Sequence, residues 1–574
     1  MSNDLGIDRS GNGNSWTVNN MAFADQVLDS PTNNFCTLNP LQHDDAAAYS
    51  EGNLKITTPN YPFATGTFWV DSGKWYWEWV DAASTLYRCY NGICNKDRTP
   101  GGENHQVADN QSWVGHSDGT TKNWTASGTD GSISNIAAGD ILAAALDLDN
   151  GSIKWYKNGS LIHTDSTLPA GELVTPMCMA TNDGYSGAQW SDDIFNFGQD
   201  SSFAGEKTAQ GNQDGNSIGD FYYTPPSGYL ALCTSNLPDV AVTPSEHFNI
   251  VTYSGTGNGV AVTGVGFQPD LVWGKKYSSP AQNHWLIDAV RGAGVWLASD
   301  GAGAEGTEPA GSSFTSDGFT TNNNSLLTYS GGSYVLWNWK AGGSGSANND
   351  GDNNATVSAN TDAKFSIVSY TGSGDEPKTV AHGLGVSPEM VIIKKRNNTG
   401  SWVVWHKDLA DNYAFEGLDT TGAAVSGGSP ISKYVDAVSS TLVTLGDASE
   451  NNNSGDTFIM YCWASIDGYS KVGSYTGNDD ADGVFVYTGF RPAYVMIKST
   501  GSSTAWLIQD GKRTPYNVCD NHLRANGNDA QQSGATLDLV SNGFKIREDG
   551  IGTNDGSYIY LAFAETPFKY ANAR

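Results

Sequence analysis

Pro269-Asp270-Leu271-Val272-Trp273-Gly274-Lys275 has two later counterparts in this chain, Pro388-Glu389-Met390-Val391-Ile392-Ile393-Lys394 and Pro492-Ala493-Tyr494-Val495-Met496-Ile497-Lys498. Each is a proline followed by an apolar strand that ends on a lysine, so Lys275, Lys394 and Lys498 occupy one equivalent place. A Tyr-x-Gly lies 16 to 18 residues before each proline, at Tyr253, Tyr370 and Tyr475, and a tryptophan lies 14 to 16 residues after it, at Trp285, Trp402 and Trp506. Each copy closes on an apolar aromatic run, at 334–339, 458–463 and 558–563. Four landmarks recurring in one order define an internal repeat. It spans 246–341, 363–466 and 467–574. The near-continuous apolar closing strands predict burial on both faces, as in the middle of a two-layer sandwich.

The residues around the repeats read as punctuation. Gly342-Gly343-Ser344-Gly345-Ser346-Ala347-Asn348-Asn349-Asp350-Gly351-Asp352-Asn353-Asn354 opens a polar segment, 342–362, expected to be a flexible linker that isolates the first repeat. The second and third repeats nearly touch and are expected to pack as a rigid pair. Upstream, 201–245 contains Gln210-Gly211-Asn212-Gln213-Asp214-Gly215-Asn216 and Tyr222-Tyr223-Thr224-Pro225-Pro226, a connector by its turn residues. Residues 1–45 are rich in Asn, Ser, Gly and Asp, a loop-rich lead-in expected to drape over a neighbour.

Between these lies 46–200. Gly73-Lys74-Trp75-Tyr76-Trp77-Glu78-Trp79-Val80 alternates so that Trp75, Trp77 and Trp79 share one side of a strand, the core side. Residues 140–162 contain Asn150-Gly151 and Asn158-Gly159, two hairpin-turn signals that make a three-strand meander. These stretches resemble the SPRY family of β-sandwich domains, in which G-K-W-Y-W-E and D-L-D-N-G-x-I-x-W/F-Y-K-N-G recur. The resemblance implies a binding or scaffolding module whose loops recognise partners, and it carries over no binding residue. The expected fold is therefore all-β, a multidomain chain of β-sandwiches, one SPRY-like and three formed by homologous repeats of about 100 residues.

Composition agrees. With 68 Gly, 18 Trp, 26 Tyr and 20 Phe but 16% charged residues, helical classes are disfavoured. The net charge of −30, from 61 acidic and 31 basic residues, repels phosphate backbones and anionic headgroups, so nucleic acid is not expected as a partner. No apolar run is long enough for a membrane span and no secretory signal opens the chain, so membrane insertion is not expected. Seven cysteines without a C-x-x-C pair predict reduced, buried thiols; Cys89 and Cys94 flank Tyr90-Asn91-Gly92-Ile93, read as a turn, and a disulfide between them stays open.

Chemistry-bearing patterns are sparse. Asp147-Leu148-Asp149-Asn150-Gly151 begins like a calcium loop, but Asn158 stands where the closing acid belongs, and a hairpin turn is the better reading. The nine histidines, His105, His116, His163, His284 and His406 among them, occur singly and suit loop, rim or half-buried strand-end positions. Trp75, Trp77, Trp79, Trp273, Trp339 and Trp463 sit in strand patterns and are expected in the core. Exposed aromatics with Asn and Asp at loop tips would suit carbohydrate, with segments 278–283, 451–454 and 526–529 as the places to look. No catalytic, cofactor-binding or metal-binding residue is assigned, and no enzymatic activity is expected.

The repeats also resemble repeat domains of tail-fibre-like proteins of marine bacteriophages, through Gly489-Phe490-Arg491-Pro492-Ala493-Tyr494-Val495-Met496-Ile497-Lys498 and Tyr558-Ile559-Tyr560-Leu561-Ala562-Phe563-Ala564-Glu565-Thr566-Pro567-Phe568. The resemblance implies a virion structural protein on the particle exterior, assembled in the host cytoplasm: a tail fibre or tail-associated adhesin for host attachment. It would be a homotrimer contacting other virion proteins and a host surface glycan or receptor, without cofactor. A capsid decoration or head-fibre protein, a polysaccharide-degrading tail spike and a cellular lectin are the other readings.

Overall fold

The computed structural model describes residues 6–8, 13–19, 27–30, 32–43, 48–59, 63–81, 89–95, 112–116, 122–124, 138–166, 168, 171–180, 190–191, 193–307, 311–323, 327–409, 415–425 and 434–570. The described chain is nearly all β, in two compact units, Met1–Pro238 and Asp239–Arg574.

In the first unit, Lys74–Asp81 is a central strand because Trp75, Trp77 and Trp79 alternate with Tyr76, Glu78 and Val80 and all six are buried. It pairs with Ile141–Asp147 on one side and with Asp193–Asn196 on the other. Ser152–Lys157 and Ser160–Asp165 extend the sheet through the two Asn-Gly turns. A second, six-stranded sheet contains Leu38–His43, Phe63–Gly66, Val174–Ala180 and Cys89–Asn95.

Three expectations change here. The 201–245 stretch is no connector over its first part: Phe221, Tyr229, Ala231 and Cys233 cluster on Tyr76, and Leu230–Ala231 pairs in parallel with Trp75 and Tyr76. Its turn-rich composition hid these few apolar side chains. Nor is 1–45 all lead-in, since Phe35 packs in the same cluster and Leu38–His43 is a sheet strand. Cys89 and Cys94 lie in one continuous strand, Cys89–Asn95, with no turn between them. Five residues of extended chain separate their Cα atoms by roughly 16 Å, beyond disulfide reach. Cys94 is buried.

The second unit explains the repeat. Each copy's sheet contains the same run of four antiparallel strands, in which the closing strand lies between the Tyr-x-Gly strand and the proline-led strand. The first copy runs Phe248–Ser254, Ser333–Trp339, Leu271–Lys276, His284–Asp288; the second has Phe365–Thr371, Thr457–Trp463, Met390–Lys395, Val403–His406; the third has Ser470–Thr476, Ser557–Pro567, Phe490–Ser499, Leu507–Asp510. A smaller layer covers one face of each sheet, for example Ala261–Val262, Gly318–Thr320 and Ser313–Thr315 in the first copy.

The Tyr-x-Gly landmark has a mechanical cause. Tyr253, Tyr370 and Tyr475 stack on Tyr334, Phe458 and Tyr558 with centroids 5.1, 5.3 and 4.9 Å apart. Their hydroxyls donate to the carbonyls of Leu327 (2.8 Å), Asn451 (2.6 Å) and Thr553 (2.6 Å). The glycine lets that loop come close: a Cβ on Gly255, Gly372 or Gly477 would lie 2.2, 2.4 or 2.0 Å from a backbone oxygen.

The opposite faces of the three sheets share one core. Trp273, Trp337 and Trp339 of the first copy, Trp402, Tyr461 and Trp463 of the second, and Tyr494, Trp506 and Phe563 of the third belong to it. The first copy is therefore not isolated, and the second and third are not a separate pair. The supposed linker is structured too: Ser346–Asn348 and Ala355–Asn360 form a hairpin that pairs onto Phe365–Thr371, from Ala355↔Tyr370 to Asn360↔Phe365. Ala355, Val357 and Ala359 face the core there, so the rest of the edge hairpin can be built largely from Gly, Ser and Asn.

Candidate functional site

Strand register shows which residues are equivalent. Lys275 stands opposite His284, and the pairs Ile393↔Val403 and Ile497↔Leu507 place Trp402 and Trp506 one step further, opposite Lys394 and Lys498. The equivalent of Trp402 and Trp506 is thus His284, not Trp285. The same side-chain carboxyl or amide caps each backbone N–H: Asp300 for His284 (3.0 Å), Asp419 for Trp402 (3.1 Å), Asn526 for Trp506 (2.9 Å).

These three rings close the copies into a cycle. Trp402 Nε1 of the second copy donates to Ala298 O of the first (2.8 Å), Trp506 Nε1 of the third to Gly417 O of the second (2.9 Å), and His284 Nε2 of the first contacts Arg524 O of the third (3.0 Å). Since Trp273 Nε1 donates to His284 Nδ1 at 2.9 Å, the proton of the neutral imidazole belongs on Nε2, where the ring imitates an indole N–H. Burial and the nearby Lys275 push His284 well below its ordinary pKa, which holds it neutral.

The lysines follow the same cycle. Lys275 Nζ donates to Asn528 O of the third copy (2.8 Å) and to Gln282 O; Lys394 Nζ donates to Ala302 O of the first (3.2 Å) and Lys395 O (2.8 Å). Lys498 lies 3.4 Å from Glu416 of the second. Burial pushes Lys275 and Lys394 down to about 8 and moves Lys498 in the same direction.

One turn on, Asp288 and Asp510 are equivalent positions. Arg291 Nε donates to Asp288 Oδ2 at 2.5 Å, and Tyr461 of the second copy donates to the same oxygen at 2.9 Å. Arg513 Nε donates to Asp510 Oδ2 at 2.7 Å, and Trp337 Nε1 of the first copy adds 3.2 Å. The third equivalent carries His406, Leu409 and Leu561.

A buried acid of the first unit, Glu78, is held by its own donors. Glu78 accepts from the backbone N–H groups of Tyr222 and Tyr223 (both 2.8 Å), from Tyr76 Oη (3.0 Å) and from Asn196 Nδ2 (3.3 Å). Burial pushes its carboxyl up to about 7 against the pull of those donors. Its task is to pin the 201–233 segment to the sheet.

The other candidates named from sequence resolve differently. Asp147 bonds Asn150 and Lys74 (2.9 Å to Nζ) while Asp149 takes the Gly73 N–H, so the pair serves a hairpin turn with its carboxylates turned to separate partners. Among the described residues no cluster of His, Cys, Asp and Glu is arranged to hold a metal ion. His284 and His406 stand at strand ends as expected, but they are fully buried and not half-buried, because each ring fills an inter-copy position; His105 and the side chain of His116 lie outside the described residues. The six strand tryptophans are buried. The loop segments 278–283, 451–454 and 526–529 are used internally: Asn452 bonds Asp375 O and Gly446 O, and Asn526 and Asn528 serve the cycle. Tyr516 (79% accessible) and Tyr329 (44%) are exposed in the second unit, as are Val425, Val518, Ile551 and Tyr570. The recurring lysine was a visible signal of the junctions, and so was Asp288-Ala289-Val290-Arg291 echoed by Asp510-Gly511-Lys512-Arg513.

Residues 243–567 match the family described as Domain of unknown function (DUF7483), and residues 74–189 match the SPRY domain. Similar solved structures include the SPRY domain of human HERC1, 14% identical over 27% of this chain and 94% of that one, TM-score 0.23. The TRIM65 PSpry domain is 14% identical over 28% of this chain and 89% of that one, TM-score 0.23, and stonustoxin 18% identical over 26% and 27%, TM-score 0.21. No curated protein matches.

Proposed function

We propose that this chain, which belongs to the family described as Domain of unknown function (DUF7483) and carries a SPRY domain ahead of that region, is a structural protein of a bacteriophage virion, a tail fibre or tail-associated adhesin that attaches the particle to its host. The observation that carries the reading is the cyclic junction: Asp288, Asp510, Arg291, Arg513 and the three lysines are all turned inward to hold the copies together. A chain that commits its ionisable groups to rigidity suits load-bearing and surface binding, with recognition left to loops. The three-fold internal arrangement also suits docking on an axis of a particle, and a homotrimer and contacts with other virion proteins belong to the same proposal.

Immunogold labelling of intact particles tests it. Gold at the tail tip is the expected result. Gold on the capsid overturns the tail assignment in favour of a decoration or head fibre, and unlabelled particles overturn the virion assignment. Release of reducing ends from host exopolysaccharide by the purified chain would replace the adhesin with a depolymerase.

A further inference from the structure

One of the three equivalent lysines meets different chemistry. Strand pairing aligns Leu286↔Leu297, Val404↔Glu416 and Ile508↔Leu523, so Glu416 stands where the other copies carry buried leucines. Its Oε2 is 3.4 Å from Lys498 Nζ, and neither side chain has any exposed surface. No other described donor reaches either carboxylate oxygen. A dry site favours the uncharged form of a carboxyl unless several donors replace its water, and one long contact does not suffice. Passage of a proton from Nζ to the carboxylate turns the pair into carboxylic acid and free amine, the uncharged form that a dry site favours. Burial pushes Glu416 up to about 8 and Lys498 down, both toward the neutral forms.

We propose that Lys498 and Glu416 condense to an intramolecular amide that staples the third copy to the second. The unprotonated Nζ attacks Cδ of the protonated carboxyl; the N–C bond forms, the bond from Cδ to the hydroxyl oxygen breaks, and an Nζ proton departs with that hydroxyl as water. No oxidant, reductant or co-reactant enters. A contact fixed by the fold replaces a bimolecular encounter, an advantage that reaches ~10⁵ M or more in effective concentration for well-aligned groups. The amide N–H keeps a partner, since Nζ already donates to Ser499 O at 2.8 Å. Lys275 and Lys394 meet carbonyl oxygens at the equivalent place and serve as internal controls.

Intact-mass spectrometry of the purified full-length chain, held folded at neutral pH, tests the staple. The expected mass is lighter by one water, with tandem spectra placing the loss on a branched peptide that contains Lys498 and Glu416. Glu416→Leu, which restores the residue type of the other copies, and Lys498→Met each return the unmodified mass. A full-mass wild type whose Lys498 and Glu416 emerge in separate linear peptides overturns the proposal. The wild-type measurement decides alone, so a variant that fails to fold removes nothing, and neither outcome bears on where the protein sits on a particle.

Discussion

Two of the three corresponding positions in the cycle are ionic and one is apolar. Asp288 with Arg291 and Tyr461, and Asp510 with Arg513 and Trp337, are buried charge pairs crowned by a donor from another copy; His406, Leu409 and Leu561 fill the same place without an ion pair. A shared backbone thus accepts both solutions. Buried ion pairs contribute little net stability against a well-packed apolar replacement, yet losing one partner is costly. The ionic pairs are better understood as devices that fix which copy abuts which.

Breaking one ionic position should have the largest effect. Asp288→Ala leaves the fully buried Arg291 guanidinium without its carboxylate and Tyr461 without its acceptor. The expected loss is about 3–5 kcal/mol, read from the urea midpoint. A loss no larger than that of a surface substitution would mean the pair is not a junction element.

Acid should act on the apolar position. Burial pushes His406 down to about 4. Between the ordinary value near 6.5 and about 4 the unfolded chain binds a proton that the folded chain refuses, so stability is fully present above this window and falls as pH falls through it. The term is worth up to about 3 kcal/mol. His406→Leu should flatten the dependence of the urea midpoint on pH by one group's share; an unchanged slope would place the sensitivity at His284 or His522, which burial also shifts downward.

Replacing all of one ionic set sharpens the contrast. Asp288→His with Arg291→Leu and Tyr461→Leu copies the apolar set onto the first position. Because no charge is left unpaired, the triple variant should lie within about 2 kcal/mol of the parent, less harmed than Asp288→Ala alone. A triple variant worse than the single one would show that the surrounding packing, not the pairing, differs between positions.

The repeat was legible because Pro, Lys and the closing aromatics recur in register, and so was the burial of Trp273, Trp339 and Trp463. The phase of the third landmark was not: matching by residue type selects Trp285, whereas the structure is counted from the lysine and selects His284, whose Nε2 does the work of an indole N–H. The closed cycle was invisible because its contacts run between residues such as Trp402 and Ala298, about a hundred positions apart, through backbone carbonyls that leave no mark in composition. An edge hairpin such as the one formed by Ser346–Asn348 and Ala355–Asn360, and covering segments such as 219–233, need few apolar residues, so polar composition misread them.

The smallest expected effect compares the copies directly. Tyr253→Phe, Tyr370→Phe and Tyr475→Phe keep each ring stacked on the closing strand and remove one hydroxyl donor to a loop carbonyl. A neutral hydrogen bond of this kind contributes about 1 kcal/mol, more where the abandoned acceptor cannot reach water. Tyr370 is buried whereas Tyr253 and Tyr475 are half-buried, so Tyr370→Phe should lose more than the other two variants in thermal unfolding. Equal losses at all three would mean the acceptors find water equally well, and the copies would then differ at their junctions but not in their loops.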